Sequence, residues 1–176
     1  MKIKGSHGTT KNAYSRINTT GFEVSRGRCG DGVYFWREGP LYETLAEEWC
    51  LQCRKEKRYS SLTDELCTVF VTLSFSDERF FDFEDFTFRS KLYEMAIKRN
   101  VDIYKPGEFS SLFSLFIEIY QRANKVDVCV FQVRVAPPTP TKYPIKLMGA
   151  PMCLVVRDTN CIIIDSNEPF KELEND

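Results

Sequence analysis

Apolar residues along this chain recur at two spacings, and the spacing changes from segment to segment. Ala13, Tyr14 and Ile17 fall at helical intervals, which predicts a short helix over 10–18 that Gly21 stops with a left-handed cap. Phe22 to Ser25 reads as a short strand and Arg26 to Asp31 as a polar, glycine-containing loop. Val33-Tyr34-Phe35-Trp36 reads as an aromatic-rich strand. Gly39-Pro40 breaks the chain, after which Leu41, Leu45, Trp49 and Cys53 predict a helix over 41–57. A polar loop covers 58–65. Cys67 to Phe75 is a strong strand pattern, and Arg79 to Phe83 is expected beside it. Helical spacing returns over 86–100 and, with Phe109, Leu112, Phe113, Phe116 and Tyr120 on one stripe, over 108–124. A long strand over 127–136 ends at Pro137, Pro138 and Pro140. Two short strands, Met152 to Val156 and Cys161 to Ile164, precede an acidic tail, Glu172 to Asp176, expected to fray.

Strands outnumber helices, and the helices interrupt them rather than alternate with them. That pattern predicts an α+β fold, not a doubly wound sheet. A length of 176 residues, 43% of them hydrophobic, fits one domain with a real core over 1–176. The helical stretch about 84–125 reads as an insert. A formal net charge of −1 supplies no global field to recruit nucleic acid or a membrane, although it leaves room for a local basic patch. No apolar run approaches the length of a membrane span, and the N-terminus lacks the apolar core of a signal peptide. Seven cysteines without regular spacing, among them Cys67, Cys129 and Cys161 in apolar runs, read as reduced thiols in a cytoplasmic setting.

The candidate chemistry begins with His7, the one histidine of the chain, in Ser6-His7-Gly8-Thr9. Its position after Lys2-Ile3-Lys4 suggests a strand leading into a tight His-Gly turn. Cys50 and Cys53 have a Cys-x-x-Cys spacing behind Trp49, but Glu47 and Glu48 precede them and would raise a thiol pKa, so helix packing is favoured over redox work. No second Cys/His pair stands at a zinc-binding distance, so no metal is expected. Arg54, Lys55, Lys57 and Arg58 suit the C-terminal end of a helix dipole. Together with Arg26 and Arg28 they could also grip a pyrophosphate or a nucleic acid.

Three strings in order, Ser6-His7-Gly8-Thr9, Gly21-Phe22 and Gly30-Asp31-Gly32-Val33-Tyr34-Phe35, resemble the ADP-ribosyltransferase superfamily, closest to its poly(ADP-ribose) polymerase-like, mono-transferring branch. The resemblance covers about the first fifty residues and, more weakly, the last thirty. It implies two small packed sheets with NAD, a co-substrate, in the cleft between them. By resemblance His7 contacts the adenosine ribose, Gly8 offers backbone hydrogen bonds to the carboxamide, Thr9 buttresses the turn, and Tyr34 walls the nicotinamide. Trp49 would supply the second ring, with Ala46 where many relatives carry serine, and Arg26 would lie near the cleft mouth. Met152 falls where many relatives place a catalytic glutamate. Mono-transferring relatives tolerate an apolar residue there and borrow a carboxylate from the acceptor; Glu168 or Glu118 could instead fold into range. The expected function is mono-ADP-ribosyl transfer to a protein or nucleic-acid acceptor, in a bacterial or phage toxin or defence factor that an antitoxin or inhibitor protein could restrain. The alternative is an inactive module that binds NAD or ADP-ribose.

Overall fold

A computed structural model describes residues 1–59, 61 and 63–170; the acidic tail lies outside them. In chain order the elements are β1 (Lys2–Thr10), α1 (Lys11–Thr20), β2 (Ser25–Gly27), β3 (Gly30–Arg37), α2 (Tyr42–Lys55), β4 (Leu66–Ser74), β5 (Phe80–Asp82), α3 (Phe86–Lys98), α4 (Pro106–Asn124), β6 (Val130–Arg134), α5 (Ile145–Met148), β7 (Met152–Val156) and β8 (Ile162–Pro169). The fold is mixed helix and strand around one eight-stranded sheet of order β5-β6-β7-β3-β1-β4-β8, with β2 paired to β3 as a hairpin. All pairings are antiparallel except β5 with β6.

β1 pairs with β4 over nine residues, from Lys2 opposite Ser74 to Thr10 opposite Leu66. This ladder holds His7, Gly8 and Thr9 in extended backbone, so the expected tight turn at His7 is not formed. A long antiparallel partner satisfies those peptide groups better than a turn does. On its other side β1 meets β3 at two positions only, Gly5 opposite Arg37 and Ser6 opposite Trp36. The two sheets implied by the resemblance are therefore one hydrogen-bonded sheet with a narrow waist.

Thr10 caps α1 by accepting from the Ala13 N–H, and Gly21, at φ 82°, ends it with its own N–H on the Ile17 carbonyl. Phe22 is not in a strand. The strand begins at Ser25, the last residue of the expected one, and runs into the expected loop, where β2 turns tightly back onto β3 and pairs Gly27 with Gly30. β5 likewise corrects an expectation: it pairs with β6 at one edge of the sheet, not with β4. Alternation of phenylalanines marks a strand without naming its partner.

The two sides of the sheet carry separate apolar layers. Phe22, Val33, Phe35, Val69, Val71, Leu73, Leu154 and Val156 pack together, with Tyr14 and Ile17 of α1 against them. On the other side Phe81, Phe83, Phe113, Phe116 and Phe131 form an aromatic core with α3 and α4. α2 covers Trp36 through Leu45 and Ala46. The proline-rich loop after β6 is stapled to α2: Thr139 N donates to Gln52 Oε1 at 3.1 Å, and Glu48 accepts from Thr141 Oγ1 and Lys142 N at 2.5 and 2.6 Å.

Candidate functional site

His7 sits in the middle of β1, one residue past the waist. Its ring packs against Phe22 and Phe35, with centroids 5.5 and 5.6 Å apart. Nδ1 lies 2.9 Å from the Tyr34 carbonyl oxygen. A carbonyl only accepts, so Nδ1 carries the hydrogen and donates it. Burial lowers the imidazole pKa, partly offset by that bond, so the ring is neutral at pH 7 and Nε2 presents a lone pair. Among the described residues Nε2 makes no hydrogen bond. The residue as a whole is half-buried.

Gly8 is glycine for a packing reason. A Cβ there would stand 2.0 Å from the Ala46 carbonyl oxygen and 3.1 Å from Cys50 Cβ, because α2 lies directly on β1. Buried Ser6 donates to the Tyr42 carbonyl at 2.7 Å, and Cys50 Sγ donates to the Thr9 carbonyl at 3.2 Å, fixing both ends of that contact. Thr9 is buried beneath it.

Tyr34 approaches His7 through its backbone and not its ring. On β3 the side chains of Val33 and Phe35 face the layer that holds His7, while Tyr34 packs with the α3–α4 core on the other side. Its hydroxyl donates to the Gly30 carbonyl at 2.6 Å and accepts from the Cys29 N–H at 3.0 Å, which locks the β2–β3 turn. Its ring fills the space a Cβ on Gly27 would need, the nearest ring atom standing 2.3 Å away. Burial pushes the phenol pKa up, so this hydroxyl is a structural pin at neutral pH. The same hairpin is tied to α4, since the Asp31 N–H donates to Ser114 Oγ at 3.2 Å and that hydroxyl donates to Asp31 Oδ2 at 2.9 Å.

Trp49 on α2 is half-buried, with the guanidinium carbons of Arg28 and Arg58 at 5.6 and 5.2 Å from its ring centroid. Arg28 thereby joins the β2–β3 turn to α2, a link that the sequence shows only as a positive charge near a tryptophan. Arg26 is exposed and paired with Asp31 at 3.3 Å. Met152 opens β7 opposite Arg134. Tyr34 stands opposite Val155, so Met152 lies three residues up the strand, about 10 Å away at ~3.4 Å per residue. Glu118 lies on α4 within 4.0 Å of Arg122, and Glu168 lies on β8 opposite Thr68. Glu84 holds Nε of Arg134, the residue opposite Met152, at 2.9 Å and so is engaged. Sequence spacing gave no sign of it, because it arrives from the loop after β5.

The seven cysteines are free and buried. Burial pushes the Cys50 thiol up to about 12, offset in part by its 2.9 Å contact with the Tyr59 hydroxyl, which leaves it a poor nucleophile. The structure thus brings together His7, Gly8, Thr9 and the Tyr34 backbone, sets Trp49 beside Arg28, and holds Met152 and Arg26 apart from them. Two surface hollows, one beside Tyr42 and Phe70 and one beside Tyr93 and Tyr104, are lined by other residues. Compared with protein-family models, with curated proteins and with solved structures, the chain matches none of them.

Proposed function

We propose that the chain is a mono-ADP-ribosyltransferase that moves ADP-ribose from NAD to a protein or nucleic-acid acceptor. The observation that carries this reading is the parting of β1 from β3 at His7. The ladder stops after two residue pairs at the histidine of the motif, and the imidazole spans the gap to the Tyr34 carbonyl with a neutral Nε2 left over. A neutral ring nitrogen is the acceptor that a ribose hydroxyl needs. Trp49 supplies a flat aromatic ring, and Arg28 and Arg58 beside it supply the positive charge that a pyrophosphate needs. NAD supplies the nicotinamide–ribose bond that is cleaved, through an oxocarbenium-like transition state whose stabilisation is mostly a matter of positioning. With Met152 in place of a carboxylate, the acceptor brings its own base, and chain extension is not expected. A cytoplasmic setting, a toxin or defence role and an inhibitor partner belong to the same proposal and rest on the resemblance alone.

Two observations favour a second reading, an inactive NAD- or ADP-ribose-binding module. The Tyr34 hydroxyl is saturated by the β2–β3 turn, and no carboxylate stands at Met152. Incubation with adenylate-labelled NAD and an acceptor lysate separates the two. Label transfer by the wild type, lost in a folded His7→Ala variant, supports the transferase. Saturable NAD binding without transfer supports the module, and neither result removes the dinucleotide from the account.

A further inference from the structure

Phe70 and Thr72 of β4 and Ile163 of β8 turn to one face of the sheet, beyond the start of α2. Ile163 is 50% exposed and Phe70 is half-buried, so this part of the sheet face is uncovered. A hollow of about 340 Å3 lies there. Tyr42, the first residue of α2, meets Phe70 edge-on in it, with ring centroids 5.9 Å apart at 68°. Buried Ser6 donates to the Tyr42 carbonyl at 2.7 Å, which ties the start of α2 to β1.

The charge around this corner is predominantly negative. Glu43, Asp165 and Glu168 line the hollow against a single cation, Lys4, whose ammonium lies 4.0 Å from Glu38. Asp165 occupies a bulge: Phe70 is opposite Ser166 and Val71 opposite Ile164, leaving Asp165 with no residue across from it. Its Oδ2 accepts from Thr72 Oγ1 at 2.8 Å, which holds the carboxylate at the hollow's wall. The Tyr42 hydroxyl reports the same field. Its pKa is raised first by burial and then by Glu43, Glu38, Glu168 and Asp165. β8 also ends the sheet, with β4 as its one neighbour, so its outer row of N–H and C=O groups is open among the described residues.

We propose that this hollow and the open edge of β8 dock an extended, basic segment of a protein partner, with a lysine or arginine side chain seated against Tyr42 and Phe70. An aromatic corner attracts a cation through the ring faces, and the carboxylates add to that attraction while excluding anions. The strand edge supplies main-chain hydrogen bonds, and alternate side chains of an added strand project onto one face, here the face with the hollow. A small polyamine satisfies the charge but leaves the edge unused.

The test titrates the full chain with a capped hexapeptide of alternating valine and arginine, and with the same peptide carrying citrulline, which keeps the shape and loses the charge. The arginine peptide is expected to bind saturably and at least about tenfold more tightly, the size of one cation–π contact plus partly screened ion pairs. The Glu43→Gln/Glu168→Gln double variant, changed at two exposed positions, is expected to erase that difference. A His7→Ala variant is expected to keep it, so the result is independent of NAD binding. Equal affinity for the two peptides, or no saturable binding, overturns the proposal. So does binding of spermine without the peptide, or a concentration-dependent dimer that the double variant abolishes, since those outcomes make the occupant a small cation or a second copy.

Discussion

Replacing Gly8 by alanine tests the β1–α2 contact at the centre of the candidate site. The added Cβ would lie 2.0 Å from the Ala46 carbonyl oxygen, whereas ordinary contacts begin near 3.4 Å, so backbone must move by the difference, 3.4 − 2.0 = 1.4 Å. No side-chain rotation relieves a clash with main chain. Moving α2 away from β1 stretches the Ser6 hydroxyl bond to Tyr42 and the Cys50 thiol bond to Thr9. Overpacking costs ~1–3 kcal/mol and each strained hydrogen bond ~1 kcal/mol, for a loss of about 3–5 kcal/mol. In a chain of this size that lowers Tm by roughly 6–20 °C, at ~2–4 °C per kcal/mol. Urea unfolding followed by circular dichroism reads the loss as a lower midpoint at constant slope. A loss under ~1 kcal/mol refutes the reasoning, because it would mean that α2 yields freely at Gly8.

Gly107→Ala is the opposite case: its Cβ meets nothing within 4 Å at the start of α4, and the variant is expected to gain ~0.5–1 kcal/mol in the same unfolding assay. The Cε1–H resonance of the one histidine should titrate below 6.5 in proton NMR; because the folded pKa is lowered, stability from this group is full above pH ~6.5 and declines as pH falls below it, by at most ~1.4 kcal/mol per pH unit. Asp158, held below its ordinary pKa first by its hydrogen bond from Arg79, contributes stability above the usual carboxylate range that is lost as pH falls through its lowered folded value; Asp158→Asn should flatten the acid limb of a Tm-against-pH curve. Cys50 should resist iodoacetamide at pH 7.5 in the native chain and react once urea unfolds it, as mass spectrometry of the labelled peptides will read.

The helices were legible because their apolar residues recur at a period that few other arrangements satisfy. α2 and α4 lie within two residues of where Leu41, Leu45 and Trp49, and Phe109, Leu112 and Phe116, predict them. Strand partners were not legible: β5 and β4 both read as apolar strands, and which neighbour each takes depends on contacts far apart in the chain. In the candidate site, the motifs put the His7 and Tyr34 rings on one cleft, whereas in the structure the two residues meet through the Tyr34 carbonyl and the Tyr34 ring faces the other side of the sheet; no side-chain pattern encodes that. Gly8 looked like a residue chosen for close approach of a ligand. Its neighbour in the structure is the backbone of α2, and the sequence offers no way to tell the two apart.

The two-pair join between β1 and β3 has a mechanical consequence. Phe35, Val69, Leu154 and Val130 pack as one layer across it, so contact between side chains, more than peptide hydrogen bonding, keeps the two halves of the sheet together. Such a seam loosens on cooling, when apolar association weakens, while the long ladder from β1 to β4 stays zipped.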